Sequence, residues 1–136
     1  MSFIELSGLG DAKEREHAPK GRYDLRITDA SRYTKEDTGN EVFKLTVEVD
    51  GANFRSIRHY LSLPGPNDDE DKVSVKLLML KRFLAMAGIP FEANGFDEEA
   101  LYGASWNGEV DVEETIGEDK KPTGRFRNNL VVPFAN

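Results

Sequence analysis

The feature that most restricts the fold of this chain is a two-residue alternation of apolar and polar side chains in five separate segments. In the first segment, Tyr23, Leu25 and Ile27 alternate with charged and polar residues. Further segments with this alternation cover about 42–49, 53–63, 105–114 and 125–132. Such alternation is typical of strands that bury one face of a sheet. We therefore expect a mainly β protein with five strands.

One segment follows helical spacing instead. Val73, Leu77, Leu80, Leu84 and Ala87 recur at intervals of three and four residues, which is typical of a helix with one buried face. Four consecutive acidic residues precede this segment and complement the positive N-terminal end of a helix dipole. A glycine and a proline follow it and favour termination there. The sequence predicts one α-helix between the third and fourth strands.

Three strands, one helix and two further strands form the pattern of the OB-fold. This fold is a five-stranded, partly open antiparallel barrel that binds oligonucleotides or oligosaccharides on its second and third strands and adjoining loops. The 136 residues suit a single domain. We expect a polar N-terminal arm over residues 1–18 and the OB-fold barrel over residues 19–136. A β-sandwich fragment is the main alternative, but it does not account for the long helix.

Composition excludes several classes of protein. The chain has no cysteine, which removes disulfides, thiolate metal sites and cysteine nucleophiles. No apolar run approaches the ~20 residues of a membrane span, and the first residues lack the pattern of a secretion signal. These features favour a soluble cytosolic protein that makes no contact with a membrane.

Catalytic patterns are also scarce. The two histidines, His17 and His59, fall in the polar arm and in an apolar strand, so neither is expected to act as a general base. Consecutive acids such as those at 68–71 rarely converge on one metal ion, since nuclease carboxylates come from separate strands. No nucleophile elbow or phosphate-binding glycine loop occurs. We expect a protein that is not an enzyme and has no metal or cofactor.

The charged residues are segregated along the chain. The formal net charge of −7 argues against a nucleic-acid binder, because sequence-independent affinity comes from basic residues on phosphates. Ten of the 18 lysines and arginines, however, fall in three acid-free windows at 51–67, 72–91 and 120–136. The acids concentrate at 68–71, 97–99 and 109–119. On the predicted barrel, the first, second, third and fifth strands present a basic face, and the fourth strand presents an acidic back.

A basic groove with aromatic side chains is what sequence-independent binding of single-stranded nucleic acid requires. Tyr23 and Trp106 are expected in the core rather than in such a groove. The predicted DNA contacts are Arg22, Arg26, Tyr33, Lys44, Arg55, Arg58, Tyr60, Arg125 and Arg127.

Five segments together resemble a known family. Residues 19–30 (PKGRYDLRITDA) resemble the P-x-G-x-Y-x-(V/L)-x-I-x-(D/E)-A opening of small phage-encoded OB-fold proteins that bind single-stranded DNA. Residues 39–49, 79–90, 101–112 and 127–131 resemble the second strand, the helix, the fourth strand and the last strand of that family. The resemblance covers roughly residues 19–132.

The resemblance implies a bacteriophage protein that protects single-stranded DNA during replication or recombination in the host cytoplasm. It also implies phage or host replication or recombination proteins as partners, and a homo-oligomer is compatible with the fold. Many replicative single-strand binders end in an acidic tail that recruits partners, whereas no acid follows Asp119 here. Recruitment through such a tail is therefore not expected.

An acidic protein-binding module is the alternative function. A small acidic phage protein can mimic DNA and occupy a host nucleic-acid-binding protein. The mimic face would contain Glu109, Asp111 and Glu113 of the fourth strand, together with Glu114, Glu118 and Asp119. The acid-free third and fifth strands argue against this alternative, and a structural role in the virion is a third candidate.

Overall fold

Five strands form one antiparallel sheet in the computed structural model, which describes residues 2–133. The sheet order is β3-β2-β1-β6-β7, and β4 and β5 form a separate two-stranded hairpin. The predicted fourth and fifth strands correspond to β6 and β7, so the mainly β architecture with one α-helix between the third and fourth strands is confirmed. The elements are β1 Gly21–Thr34, β2 Glu41–Val49, β3 Ile57–Ser62, α1 Glu70–Met86, β4 Phe91–Glu92, β5 Gly95–Phe96, β6 Ser105–Ile116 and β7 Pro122–Leu130.

The sheet remains open between its two edge strands. Within residues 2–133, β3 and β7 do not pair with each other, so the sheet is not closed into the expected barrel. The N-terminal arm occupies part of the gap. The N–H of Arg55, just before β3, donates to the carbonyl of Glu16, and Asn128 of β7 bonds to Ala18. Arm residues thus meet both edges where strand pairing would close the sheet.

The long first strand changes its buried face partway along. Leu25 and Ile27 are buried before a register shift between Ile27 and Asp29. After the shift, Ala30 pairs with Leu45 of β2 and packs against the core. The shift interrupts the pairing of β1 with β2 along one edge, and β1 pairs with β6 along its other edge over residues 21–26.

Helix α1 begins where its acids predict. Asp69 caps the N-terminus, because its carboxylate accepts the N–H of Lys72 at 2.8 Å. The buried face differs from the predicted stripe: Leu77 is half exposed, whereas Phe83 is only 1% exposed. Phe83 is buried because its ring stacks on His59, with ring centroids 5.0 Å apart, and meets Trp106 edge-on.

The arm is anchored to the sheet at its C-terminal end. Ala18, which the sequence analysis placed in the polar arm, is fully buried and belongs to the hydrophobic core. Tyr23 and Trp106 pack against the same core, as expected. The last three residues of the predicted barrel domain, 134–136, lie outside the described residues.

Candidate nucleic-acid interface

The outward face of β1, β2 and β3 gathers four of the predicted contact residues. Lys44 lies directly opposite Tyr60, and Arg58 is two residues before Tyr60 on β3. Tyr33 pairs with the residue two positions before Lys44 on β2. Side chains at paired positions and at positions two apart share one face of a sheet. Tyr60 is 51% exposed and Tyr33 is 40% exposed, so both rings are accessible on this face.

A cleft lies between the edge strands β3 and β7. Its volume is about 520 Å³, and two arginines and one tyrosine are among its lining residues. Guanidinium groups bind phosphate through charge-assisted hydrogen bonds, and tyrosine rings stack on bases. The lining residues are Arg58, His59, Tyr60, Arg127, Asn128 and Asn129.

A second groove lies between β3 and α1. Its volume is about 440 Å³, and its lining includes the apolar side chains of Leu61, Met79 and Leu80. His59 and Tyr60 line both this groove and the cleft. Tyr60 therefore stands at the junction of a charged cleft and an apolar groove.

The charge of Arg127 is partly offset by its neighbour on β6. Arg127 pairs in register with Glu113 and donates from Nη2 to Glu113 Oε2 at 3.1 Å. Asn129 donates to the same oxygen at 2.7 Å. The hydrogen bond from Asn129, followed by the bond and charge of Arg127, lowers the pKa of Glu113. The predicted basic face includes β7 and the predicted acidic back is β6. Because these two strands are paired, the two surfaces are adjacent and not on opposite sides of the fold.

Two further predicted contacts lie away from the cleft. Arg26 forms a salt bridge of 3.6 Å with Asp50. Arg22 donates to the side chain and carbonyl of Asn107 at 3.1 and 3.3 Å, and it lies opposite Glu109 of β6. The structure thus places Arg22 toward the acidic strand and not beside Arg58.

Arg55 and Arg125 lie where the arm meets the sheet. The guanidinium of Arg55 donates to the carbonyls of Arg15 and Phe126 at 3.2 and 3.5 Å. Arg125 lines a depression together with Arg55 and arm residues 14–17. Arg55 therefore holds the arm on the sheet. Neither Arg55 nor Arg125 lines the cleft that contains Tyr60.

The sequence analysis missed three cleft residues, His59, Asn128 and Asn129. Burial lowers the pKa of His59, because its ring is stacked on Phe83 and charging it there would cost desolvation. Asn128 is a buried polar residue. Asn128 lies two residues after Phe126 and two before Leu130, in the phase that the sequence predicts to face inward. A polar residue in that phase was the sequence signal that could have identified it.

Neither a protein-family model nor a curated protein sequence matches this chain. No helix within residues 2–133 is long and apolar enough to cross a membrane. Over the same residues, no group of three or more histidine or acidic side chains is placed to hold a metal ion. The case for a function therefore depends on the geometry of the cleft and of the adjoining face.

Proposed function

We propose that this protein binds single-stranded DNA without sequence preference, on the cleft between β3 and β7 and the outward face of β1–β3. The observation that carries the proposal is the meeting of Arg58, Tyr60 and Arg127 around one cleft, with Lys44 directly opposite Tyr60. Arg58 and Tyr60 come from β3 and Arg127 comes from β7, two edge strands that are far apart in sequence. Basic groups beside an aromatic ring are what the binding of a single strand requires.

The proposed binding mode combines charge interactions with phosphates and stacking of bases on tyrosine rings. Phosphates contact Arg58, Lys44 and Arg127, and bases stack on Tyr60 and Tyr33. Stacking contributes ~1–3 kcal/mol per base and tolerates every base. Lys44 and Arg58 form no salt bridge within residues 2–133. Their charges are therefore available to phosphates, which supports the sequence-independent mode.

The topology supports an OB-fold type of single-strand binder. β1 pairs with both β2 and β6. Along the chain, the helix lies between β3 and β6, which are the third and fourth strands of the sheet in sequence order. An open seam between β3 and β7 is compatible with the partly open barrel of that fold. With the family resemblance, this supports a phage protein that acts on DNA during replication or recombination in the host cytoplasm.

The acidic alternative has weaker support. A DNA mimic needs carboxylates that are free to meet a basic partner. Asp111 lies 4.0 Å from the ammonium of Lys20, and Glu113 is bonded to Arg127 and Asn129. Two of the six acids proposed for the mimic face are thus paired with a cation of the same chain, which favours the DNA-binding function.

A fluorescence-anisotropy titration tests the proposed function. The probe is a labelled oligo-dT of about 30 nucleotides, long enough for an OB-type site, measured at low and moderate salt with the matching duplex as control. We expect binding to the single strand that weakens steeply with salt, and much weaker binding to the duplex. Absence of binding at low salt would refute the proposal and direct attention to protein partners of the acidic residues.

A double variant tests the cleft itself. Arg58→Glu with Arg127→Glu places two carboxylates in the cleft and should abolish binding. Lys13→Glu with Lys121→Glu makes the same change in net charge at exposed positions outside the cleft and should retain most of the affinity. Thermal melts of both variants establish that each is folded. Equal losses in the two variants would show that the cleft is not the site.

A further inference from the structure

The beginning of the described chain carries exposed apolar side chains. Phe3 is 90% exposed, and Ile4, Leu6 and Leu9 are each more than half exposed. We call residues 3–9 the apolar arm segment. Concentrated exposed apolar surface marks an interaction site. The anchored part of the arm begins only at Arg15, whose carbonyl accepts from Arg55, so the apolar arm segment precedes the anchor.

Helix α1 carries a second uncovered apolar surface. Val75, Leu78 and Met79 are exposed and have the i, i+3, i+4 spacing of one helix face. We call these three residues the helix patch. Met79 also lines the apolar groove between α1 and β3, together with Tyr60 and Leu61. The patch and the groove therefore form one continuous surface.

The two surfaces have opposite charge. Residues 2–11 contain Glu5 and Asp11 and no lysine or arginine. Residues 72–91, which include most of α1, contain four basic residues and no acid. The ammonium of Lys76 is engaged by Asp68 at 2.6 Å, but Lys72 and Lys81 are exposed on the helix. Complementary charge of this kind favours encounter and fixes the register of an interface.

We propose that the apolar arm segment of one copy binds the helix patch and groove of a second copy, and that the exchange is reciprocal. Within a single chain, both surfaces stay exposed. The arm is held on the sheet by Arg55 and Asn128, and residues 3–9, which precede this anchor, are exposed. Reciprocal exchange gives a closed two-fold dimer in which each copy donates one segment and accepts one. Opposite charge and matching apolar character make the arm the occupant of this surface.

Sedimentation and light scattering of the full chain test this proposal. We expect a concentration-dependent species of twice the 15.3 kDa chain mass. The arm variant Phe3→Ser with Ile4→Ser, and the patch variant Leu78→Glu with Met79→Glu, should each be monomeric. Ile116→Ser changes an exposed apolar residue at the end of β6 and should remain dimeric. Circular dichroism checks that all variants keep the fold.

Mixing the two variants separates exchange between copies from other arrangements. The arm variant keeps an intact patch and the patch variant keeps an intact arm, so the mixture should form a heterodimer held by one contact. A wild-type chain that is monomeric at every concentration would overturn the proposal, because the arm could then cover only its own helix. Dimers that persist in both variants would overturn it as well, since another surface would then hold the copies together.

Discussion

The side-chain amide of Asn128 forms two hydrogen bonds of 2.8 Å with the backbone of Ala18, one to its N–H and one to its carbonyl. The same amide nitrogen also donates to the carbonyl of Asp111 at 3.2 Å. The amide thus gives Ala18 the donor and acceptor that a neighbouring strand would supply. The two residues are 110 positions apart, so this contact joins the beginning of the fold to its last strand.

Asn128→Ala should destabilise the protein. The variant leaves the buried N–H and carbonyl of Ala18 without partners, and we expect a loss of about 2–3 kcal/mol of unfolding free energy. Urea denaturation measures this loss, and Asn53→Ala, which removes an exposed asparagine without hydrogen bonds in residues 2–133, serves as the control. Trypsin should also cleave after Arg15 faster in Asn128→Ala. Equal stability of the two variants would contradict an anchoring role for Asn128.

Tyr60→Ala should weaken the binding of single-stranded DNA by about five- to 150-fold, which corresponds to the loss of one stacked base, ~1–3 kcal/mol. Tyr102→Ala removes an exposed tyrosine that does not line the cleft or the groove and should bind normally. Anisotropy titrations of both variants at one salt concentration make the comparison. A similar loss in both would indicate that Tyr60 has no particular role.

Lys44 and Arg26 should differ in their effect on salt dependence. Lys44→Gln should lower the slope of log affinity against log salt by ~0.7, the contribution of one phosphate contact on a single strand. Arg26→Gln should leave the slope nearly unchanged, because Asp50 lies 3.6 Å from the guanidinium of Arg26. Titrations at four or more salt concentrations give both slopes. The opposite order of effects would mean that the phosphate path follows β1 instead of β2.

Asp68→Asn should lower stability at pH 7 but not in acid. The hydrogen bond from Lys76, at 2.6 Å, and then that from the N–H of Gly65, at 2.7 Å, lower the pKa of Asp68 below its ordinary value of 3.8. The charged form is therefore favoured in the folded state. Its stabilisation is complete above the unfolded-state pKa and is lost as the pH falls through the folded-state pKa.

Unfolding measurements on wild type and Asp68→Asn from pH 7 downward check this dependence. The difference between the two proteins should be constant near neutrality and should shrink as the pH drops below 3.8. Asp37→Asn, which removes an exposed acid in the turn between β1 and β2 with no hydrogen bond or ion pair in residues 2–133, should show little difference at any pH. A difference for Asp68→Asn that stays constant in acid would mean that its carboxylate charge is not the stabilising feature.

The structure brings four of the predicted contact residues onto one face and gives others partners within the chain, for a common reason. Tyr33, Lys44, Arg58 and Tyr60 share one face, because alternation within a strand determines which side chains point outward. The partners of Arg127, Arg26 and Arg55 come from β6, from the turn after β2 and from the arm. Alternation within one strand does not show which charged group from another element will lie opposite.

The sequence alone determined the features that depend on near neighbours. These are the strands with one apolar face, the helix between the third and fourth strands, and its start at the acidic run capped by Asp69. They follow from spacing and capping over a few residues. Only the tertiary structure decided that the seam between β3 and β7 stays open, that Ala18 is clamped by Asn128, and that Glu113 offsets Arg127. Each of these depends on groups from different parts of the chain, which meet only when the strands take their places in the sheet.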